Sequence, residues 1–142
     1  MAEASLLRIR ALGEAQVREL HALYQGEWWT AGRELPDIRR MLAHTDLLFG
    51  YQDRTSGRLL AFARVLTDRA YKALVFDLIV APDHRGRGLG KSLVEDVLAH
   101  PELAFVRHIE LYCKPELLPF YARWGFTTDV GGIVLLRKSS GG

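Results

Sequence analysis

The chain holds 142 residues, 49% apolar and 25% charged, which is enough for one domain with a buried core and ordinary for a soluble fold. A formal net charge of +2 supplies no global field, and so argues against nucleic acid or an anionic membrane as the main partner. A single cysteine, Cys113, has no mate for an internal disulfide; it points to a reducing compartment and, within an apolar run, reads as an inert buried thiol. The segment from Met1 to Arg8 is expected to carry no secretion signal, and no run approaches about 18 uninterrupted apolar residues. The expectation is a cytoplasmic protein with one domain over residues 1–138 and a frayed tail over 139–142.

Ser5 to Leu12 alternates as a first strand, and Gly13 opens a helix in which Val17, Leu20 and Tyr24 recur at helical spacing. After a loop with Trp28, Trp29 and Gly32, Pro36 suits the first turn of a second helix whose face is marked by Ile38, Met41, Leu42 and Thr45. Leu47 to Gln52 and Arg58 to Thr67 read as strands of a hairpin closed through Gly57. Lys72 to Ala81 is nearly all apolar, as a central strand covered on both faces should be.

A glycine-rich loop follows, then a helix with Leu89, Leu93, Val94, Val97 and Leu98 on one side, stopping near His100-Pro101. Val106 to Cys113 is a further strand, and Glu116 to Trp124 a short helix ended by Gly125. Thr127 to Asp129 and Ile133 to Lys138 are expected to pair as a last hairpin across Gly131-Gly132. The fold class is therefore α/β: a central mixed sheet with helices on both faces, in the order β-α-α-β-β-β-α-β-α-β-β. The central strand, glycine-loop helix and next strand should form a parallel, right-handed unit.

A strand that runs into a glycine-rich turn and then a helix makes an anion site, because glycines admit a phosphate to the backbone and the helix N-terminus attracts it. Arg85, Arg87 and Lys91 add positive charge there, beside His84. Two other phosphate motifs fail. A Walker A loop ending in Gly90-Lys91-Ser92 needs a glycine where the chain has Arg85, and a dinucleotide fingerprint needs one at Lys91.

Asp77-Leu78-Ile79-Val80-Ala81-Pro82-Asp83-His84-Arg85-Gly86-Arg87-Gly88-Leu89-Gly90 resembles the acetyl-CoA-binding motif of the GNAT N-acetyltransferase superfamily, and Phe120-Tyr121-Ala122-Arg123-Trp124-Gly125-Phe126 its second landmark. The resemblance implies an acyl-CoA-dependent N-acyltransferase that uses acetyl-CoA as cosubstrate. Backbone amides from Gly86 through Arg87, Gly88, Leu89 and Gly90 to Lys91, with Arg85, would hold the pyrophosphate. The edge at Leu78, Ile79 and Val80 would take the pantetheine arm and acyl carbonyl. Many family members carry an asparagine before the tyrosine helix, where this chain has Lys114-Pro115-Glu116.

Acyl transfer from a thioester needs a neutral amine, donors for the developing oxyanion and an exit for the thiolate. Similar enzymes transfer directly, which agrees with the lack of a Cys-His or Ser-His pairing. Tyr121 matches the family tyrosine that protonates the thiolate, although it also shares a helical face with Leu117, Leu118 and Trp124. Asp77, a carboxylate inside an apolar strand, needs a partner, a cleft or a proton. Arg64 and His108 are its candidate partners, and both a structural ion pair and a catalytic or acceptor-orienting role fit it. Alternation places it on one strand face with Val75 and Ile79.

Glu110 and Tyr112, which share a face with His108, are weaker candidates. Trp28, Trp29 and Arg33 lie where similar enzymes shape the acceptor pocket. The five histidines are scattered without ligand spacing, so no metal is expected. The expected partner is a small-molecule or peptide amine; a homodimer is left open. Two rival classes remain: a non-catalytic acyl-CoA sensor with the same loop, and a phosphate-binding regulatory domain.

Overall fold

The computed structural model describes residues 5–140. Among these residues the strands and α-helices follow the order β1 (Leu6–Ile9), α1 (Glu14–Gln25), α2 (Leu35–Ala43), β2 (Leu47–Asp53), β3 (Leu59–Thr67), β4 (Lys72–Val80), α3 (Leu89–Ala99), β5 (His108–Leu111) and α4 (Leu118–Ala122). The chain divides into two compact units, one ending at Leu111 and the other beginning at Tyr112.

The first unit is a five-stranded sheet in the order β1-β2-β3-β4-β5. The first four strands are antiparallel and β5 runs parallel to β4 across α3, as expected. Successive side chains alternate between faces, so each strand feeds two cores. On one face Phe49, Ala63, Val65 and Val75 pack with Leu89, Leu93 and Val97 of α3. On the other, Leu59, Phe62 and Ile79 pack with Val17, Leu20 and Tyr24 of α1 and Ile38 of α2. Helices thus cover both faces.

Local signals explain the helix ends. Gly13 caps α1, its N–H donating to the Gln16 side chain at 3.0 Å, and Pro36 sits in the first turn of α2. Pro101 biases His100 to extended backbone and closes α3. Gly50 in β2 allows close approach: a Cβ there would lie 3.1 Å from Ile9 Cγ1 and from the Ala61 carbonyl.

Two strands are shorter than the sequence suggests. β1 forms only over Leu6–Ile9, where it pairs with β2, and β5 only over His108–Leu111, where it pairs with Lys72–Val75 of β4. In the second unit a 3-10 turn at Pro115–Leu117 precedes α4, which is only five residues long and has Pro119 in its first turn. The expected last hairpin does not form, so the final two strands of the predicted order are absent among the described residues. Gly131 and Gly132 do turn the chain, with φ of 74° and 76°. The arm at Thr127 to Asp129 is too short for a stable ladder, because a lone two-stranded hairpin is marginal in water. Ile133, Val134, Leu135 and Leu136 consequently stand exposed. Of the expected tail, Gly141 and Gly142 lie outside the described residues.

Candidate functional site

The glycine loop forms as a strand–turn–helix. A 3-10 turn at Pro82–His84 leaves β4, and Gly86 and Gly88 take left-handed φ of 77° and 83° before α3 begins. L-residues pay for that region through Cβ clashes, which is why glycines stand at both positions. Among the described residues no side chain caps the first turn of α3, and no acidic residue lies in that turn, so its amides keep the electropositive end of the helix. Among the described residues, a Cβ built on Gly86 or Gly88 would meet no atom within 4 Å beyond its immediate chain neighbours. Open backbone, free N–H groups and the exposed Arg87 and Lys91 suit a diphosphate.

Arg85 departs from its expected role. Its Nε donates to the Val80 carbonyl at 3.1 Å and its terminal nitrogen to Glu27 Oε1 at 2.7 Å, so the guanidinium braces β4 rather than reaching over the loop. Asp83 is gripped by both terminal nitrogens of Arg58 at 2.8 Å, which hold its carboxyl well below the usual range and tie the loop to the start of β3. His84 Nδ1 lies 3.3 Å from Asp83 Oδ1.

β4 carries the other half of the site. Its ladder with β5 ends at Val75 opposite Leu111, and among the described residues no strand pairs with that side of Phe76 to Val80. On the β3 side the register slips: Arg64 faces Phe76 but Phe62 faces Ile79, so Asp77 and Leu78 both stand opposite Ala63. This is a β-bulge, and Asp77 occupies it with φ of 58°, in the left-handed region that asparagine and aspartate tolerate best. The bulge overturns the simple alternation. Val75 packs with α3, whereas Ile79 packs with α1 and α2.

The Asp77 side chain is buried, and a single oxygen, Oδ2, accepts three hydrogen bonds. Tyr24 Oη donates at 2.9 Å, an Arg33 terminal nitrogen at 2.7 Å and Arg64 Nε at 2.7 Å. Burial alone would raise the Asp77 pKa, but the bonds from Arg33 and Arg64 outweigh it and hold the carboxyl below its usual value. Burial drives Tyr24 strongly upward, reinforced by the Asp77 charge.

Arg64 is a correctly expected partner; His108 is not one, being exposed at the start of β5 opposite Lys72. Arg33, expected near the acceptor pocket, instead donates its guanidinium to Asp77 and stacks 4.7 Å above the Tyr24 ring. Trp28 is 70% exposed and Trp29 38%. Glu110 pairs with Lys72 at 2.8 Å. Sequence reasoning placed Tyr24 only in the core; its hydroxyl, buried in an apolar stripe and needing an acceptor, was the available signal. Glu27 gave none.

In the second unit Tyr121 is buried, with edge-on contacts to Phe120 and Phe126 at 4.9 and 5.9 Å between ring centroids. Burial, with a smaller push from Cys113, raises its hydroxyl to about 12, so the proton stays on at neutral pH. Cys113 is half-buried rather than buried as expected; partial burial, reinforced by the Glu116 charge, raises its thiol. Among the described residues no three His, Cys, Asp or Glu side chains gather to hold a metal.

Comparison with known proteins fixes the class. The family model for the acetyltransferase (GNAT) domain matches residues 44–128, more than half of the chain, which therefore belongs to the GNAT acetyltransferase family. A GNAT-family protein from Xanthomonas campestris superposes with a TM-score of 0.79 at 31% identity, over 94% of each chain. GCN5-related N-acetyltransferase 1, chloroplastic, of Arabidopsis thaliana is 33% identical over 109 residues, 75% of this chain and 55% of its own. Serotonin N-acetyltransferase 2, chloroplastic, of Oryza sativa subsp. japonica is 34% identical over 103 residues, 71% of this chain and 52% of its own. The chain thus spans about half the length of these two curated relatives.

Proposed function

We propose that this chain transfers an acetyl group from acetyl-CoA to the primary amine of a small-molecule or peptide acceptor, directly and without an acyl-enzyme. The observation that carries the reading is the joint geometry of β4 and the loop after it. The strand loses its β5 partner after Val75, bulges at Asp77, and then leads into two left-handed glycines and an uncapped helix N-terminus. That combination offers main-chain donors to an extended arm and to a diphosphate on one continuous segment.

Amides from Gly86 to Lys91 would hold the pyrophosphate, with Arg87 and Lys91 adding charge. The backbone of Leu78, Ile79 and Val80 would bind the pantetheine arm and stabilise the carbonyl oxygen. The amine nitrogen attacks the thioester carbon, the C–N bond forms, the C–S bond breaks, and the proton lost by the amine is balanced by one gained at sulfur. Tyr121, kept protonated by burial, is assigned as donor to the departing sulfur on the strength of its family landmark. Trp28 and Trp29 are assigned to the acceptor side. Their aromatic surface, and the likeness to a serotonin N-acetyltransferase, support trying arylalkylamines first.

The test is thiol release from acetyl-CoA with arylalkylamines, polyamines, amino acids, aminoglycosides and peptide amines, products being identified by mass. Acetylation of one of these supports the reading. Tight acetyl-CoA binding with no turnover on any of them would instead make the chain an acyl-CoA sensor. Competition by ATP with no competition by desulfo-CoA would make it a nucleotide-binding regulatory domain.

A further inference from the structure

The stretch assigned to the acyl group, Leu78 to Val80, is tied at both ends to one segment on the acceptor side. At one end Asp77 Oδ2 is held by Tyr24, near the end of α1, by Arg33, nine residues further on, and by Arg64 of β3. At the other end Arg85 joins the Val80 carbonyl to Glu27. Residues 24–33 also close on themselves: Gln25 donates to the Arg33 carbonyl at 3.1 Å and accepts from the Gly32 amide at 3.0 Å. Thr30, buried, donates to the Tyr24 carbonyl at 2.8 Å. The segment that bears Trp28 and Trp29 is therefore a braced element, and its braces end on β4.

A left-handed non-glycine residue persists only where its surroundings over-determine it, and such strain collects at functional sites. Three donors on a single Asp77 oxygen are that over-determination. Two guanidinium charges on that oxygen also favour the ionised carboxylate, which makes Asp77 a poor proton acceptor. The ion pairs with Arg33 and Arg64 hold Asp77 in place and outweigh the pull of burial toward the protonated form.

We infer that Asp77 is a positioning residue whose ion pairs with Arg33 and Arg64, and hydrogen bond from Tyr24, fix the β4 bulge so that acceptor-side and acyl-side geometry are set together. This rests on the acetyl-transfer reading above. Asp77 acts through the backbone of Leu78 and Ile79 and transfers no proton itself. A misplacement of about 1 Å at a reacting centre can cost ~10²-fold in rate, which sets the expected size of the effect.

The decisive readout is the infrared carbonyl stretch of acetyl-CoA labelled at the thioester carbon, bound to wild type and to Asp77→Asn. Hydrogen bonding from the β4 backbone should move the band below its free position in the wild type. In Asp77→Asn the band should return toward the free position and broaden. Turnover should then fall ~10–10²-fold while the Kd for acetyl-CoA changes less than about threefold. Tyr24→Phe, which keeps the ring and removes one donor, should show the same pattern at smaller amplitude, and serves if Asp77→Asn fails to fold. A general-base role would lower turnover and shift the acid limb of the rate profile with the band unmoved. A purely structural role would lower Tm with normal turnover and an unmoved band. Either result overturns the inference. Failure of the wild type to bind labelled acetyl-CoA would instead bring down the acetyl-transfer reading, and this inference with it.

Discussion

Gly88 offers a clean separation of folding from ligand binding. Its φ of 83° lies in the left-handed region, where an L-residue costs roughly 1–2 kcal/mol, with a β-branched side chain toward the upper end. Among the described residues no atom beyond the chain neighbours lies within 4 Å of an added Cβ, so backbone strain is the main cost expected of Gly88→Val. For a chain of 142 residues, about 1–2 kcal/mol lowers Tm by roughly 3–10 °C, and the variant should remain folded at 25 °C. The same side chain would project where a diphosphate has to meet the backbone. Acetyl-CoA at ~100 times its wild-type Kd should stabilise the wild type by about 2.7 kcal/mol, and that increment should vanish in the variant. Scanning calorimetry of both proteins with and without acetyl-CoA gives the comparison. A folded Gly88→Val with an unchanged ligand-induced shift would refute the placement of coenzyme A on this loop.

Other outcomes follow from the buried ionisable groups. Tyr121→Phe keeps the ring contacts, so fold and acetyl-CoA affinity should persist while turnover falls. A hydroxyl raised to about 12 is a weak acid at neutral pH, so the loss should sit near the lower end of the usual ~10²–10⁴-fold range, read under conditions where chemistry limits the rate. Because that pKa is raised, the stability Tyr121 contributes is complete below about pH 10 and is lost toward pH 12. The stability difference between wild type and Tyr121→Phe should therefore shrink by roughly 2–3 kcal/mol across that window in urea titrations. Asp77 has the opposite sign: its folded pKa is depressed, so its contribution is complete above about pH 4 and fades as pH falls further. The stability gap between wild type and Asp77→Asn should be flat near neutrality and narrow in acid. A gap independent of pH would mean that the carboxylate is not held ionised by Arg33 and Arg64.

Much of this site can be read from the sequence because its signals are local. The glycines at 86 and 88 signal a backbone open to a phosphate, the apolar run from Lys72 to Ala81 signals a central strand, and a carboxylate inside that run needs a partner, a cleft or a proton. What escapes is long-range or depends on phase. Arg33 reaches Asp77 across 44 residues, a closure set by how the α1–α2 segment folds onto β4 and not by any spacing in the chain. The bulge is hidden for a different reason. An aspartate can adopt left-handed φ without a glycine to announce it, so strict alternation put Val75 and Ile79 on one face when they serve opposite cores. Arg85 shows the limit of reading charge near a phosphate loop, since Glu27 claims the guanidinium. The Gly131-Gly132 pair gives a true turn signal, but a turn makes a hairpin only when both arms are long enough to pair.

The most direct test of acetyl transfer on this chain uses acetyl-CoA labelled in the acetyl group, the best acceptor amine and rapid quenching. The mass of the amine and of the intact protein are then followed together. Direct transfer predicts one labelled amide for each thiol released, with no labelled protein at any time. Label on the protein that forms and decays fast enough to lie on the path, or thiol release without acetylated amine, would contradict it.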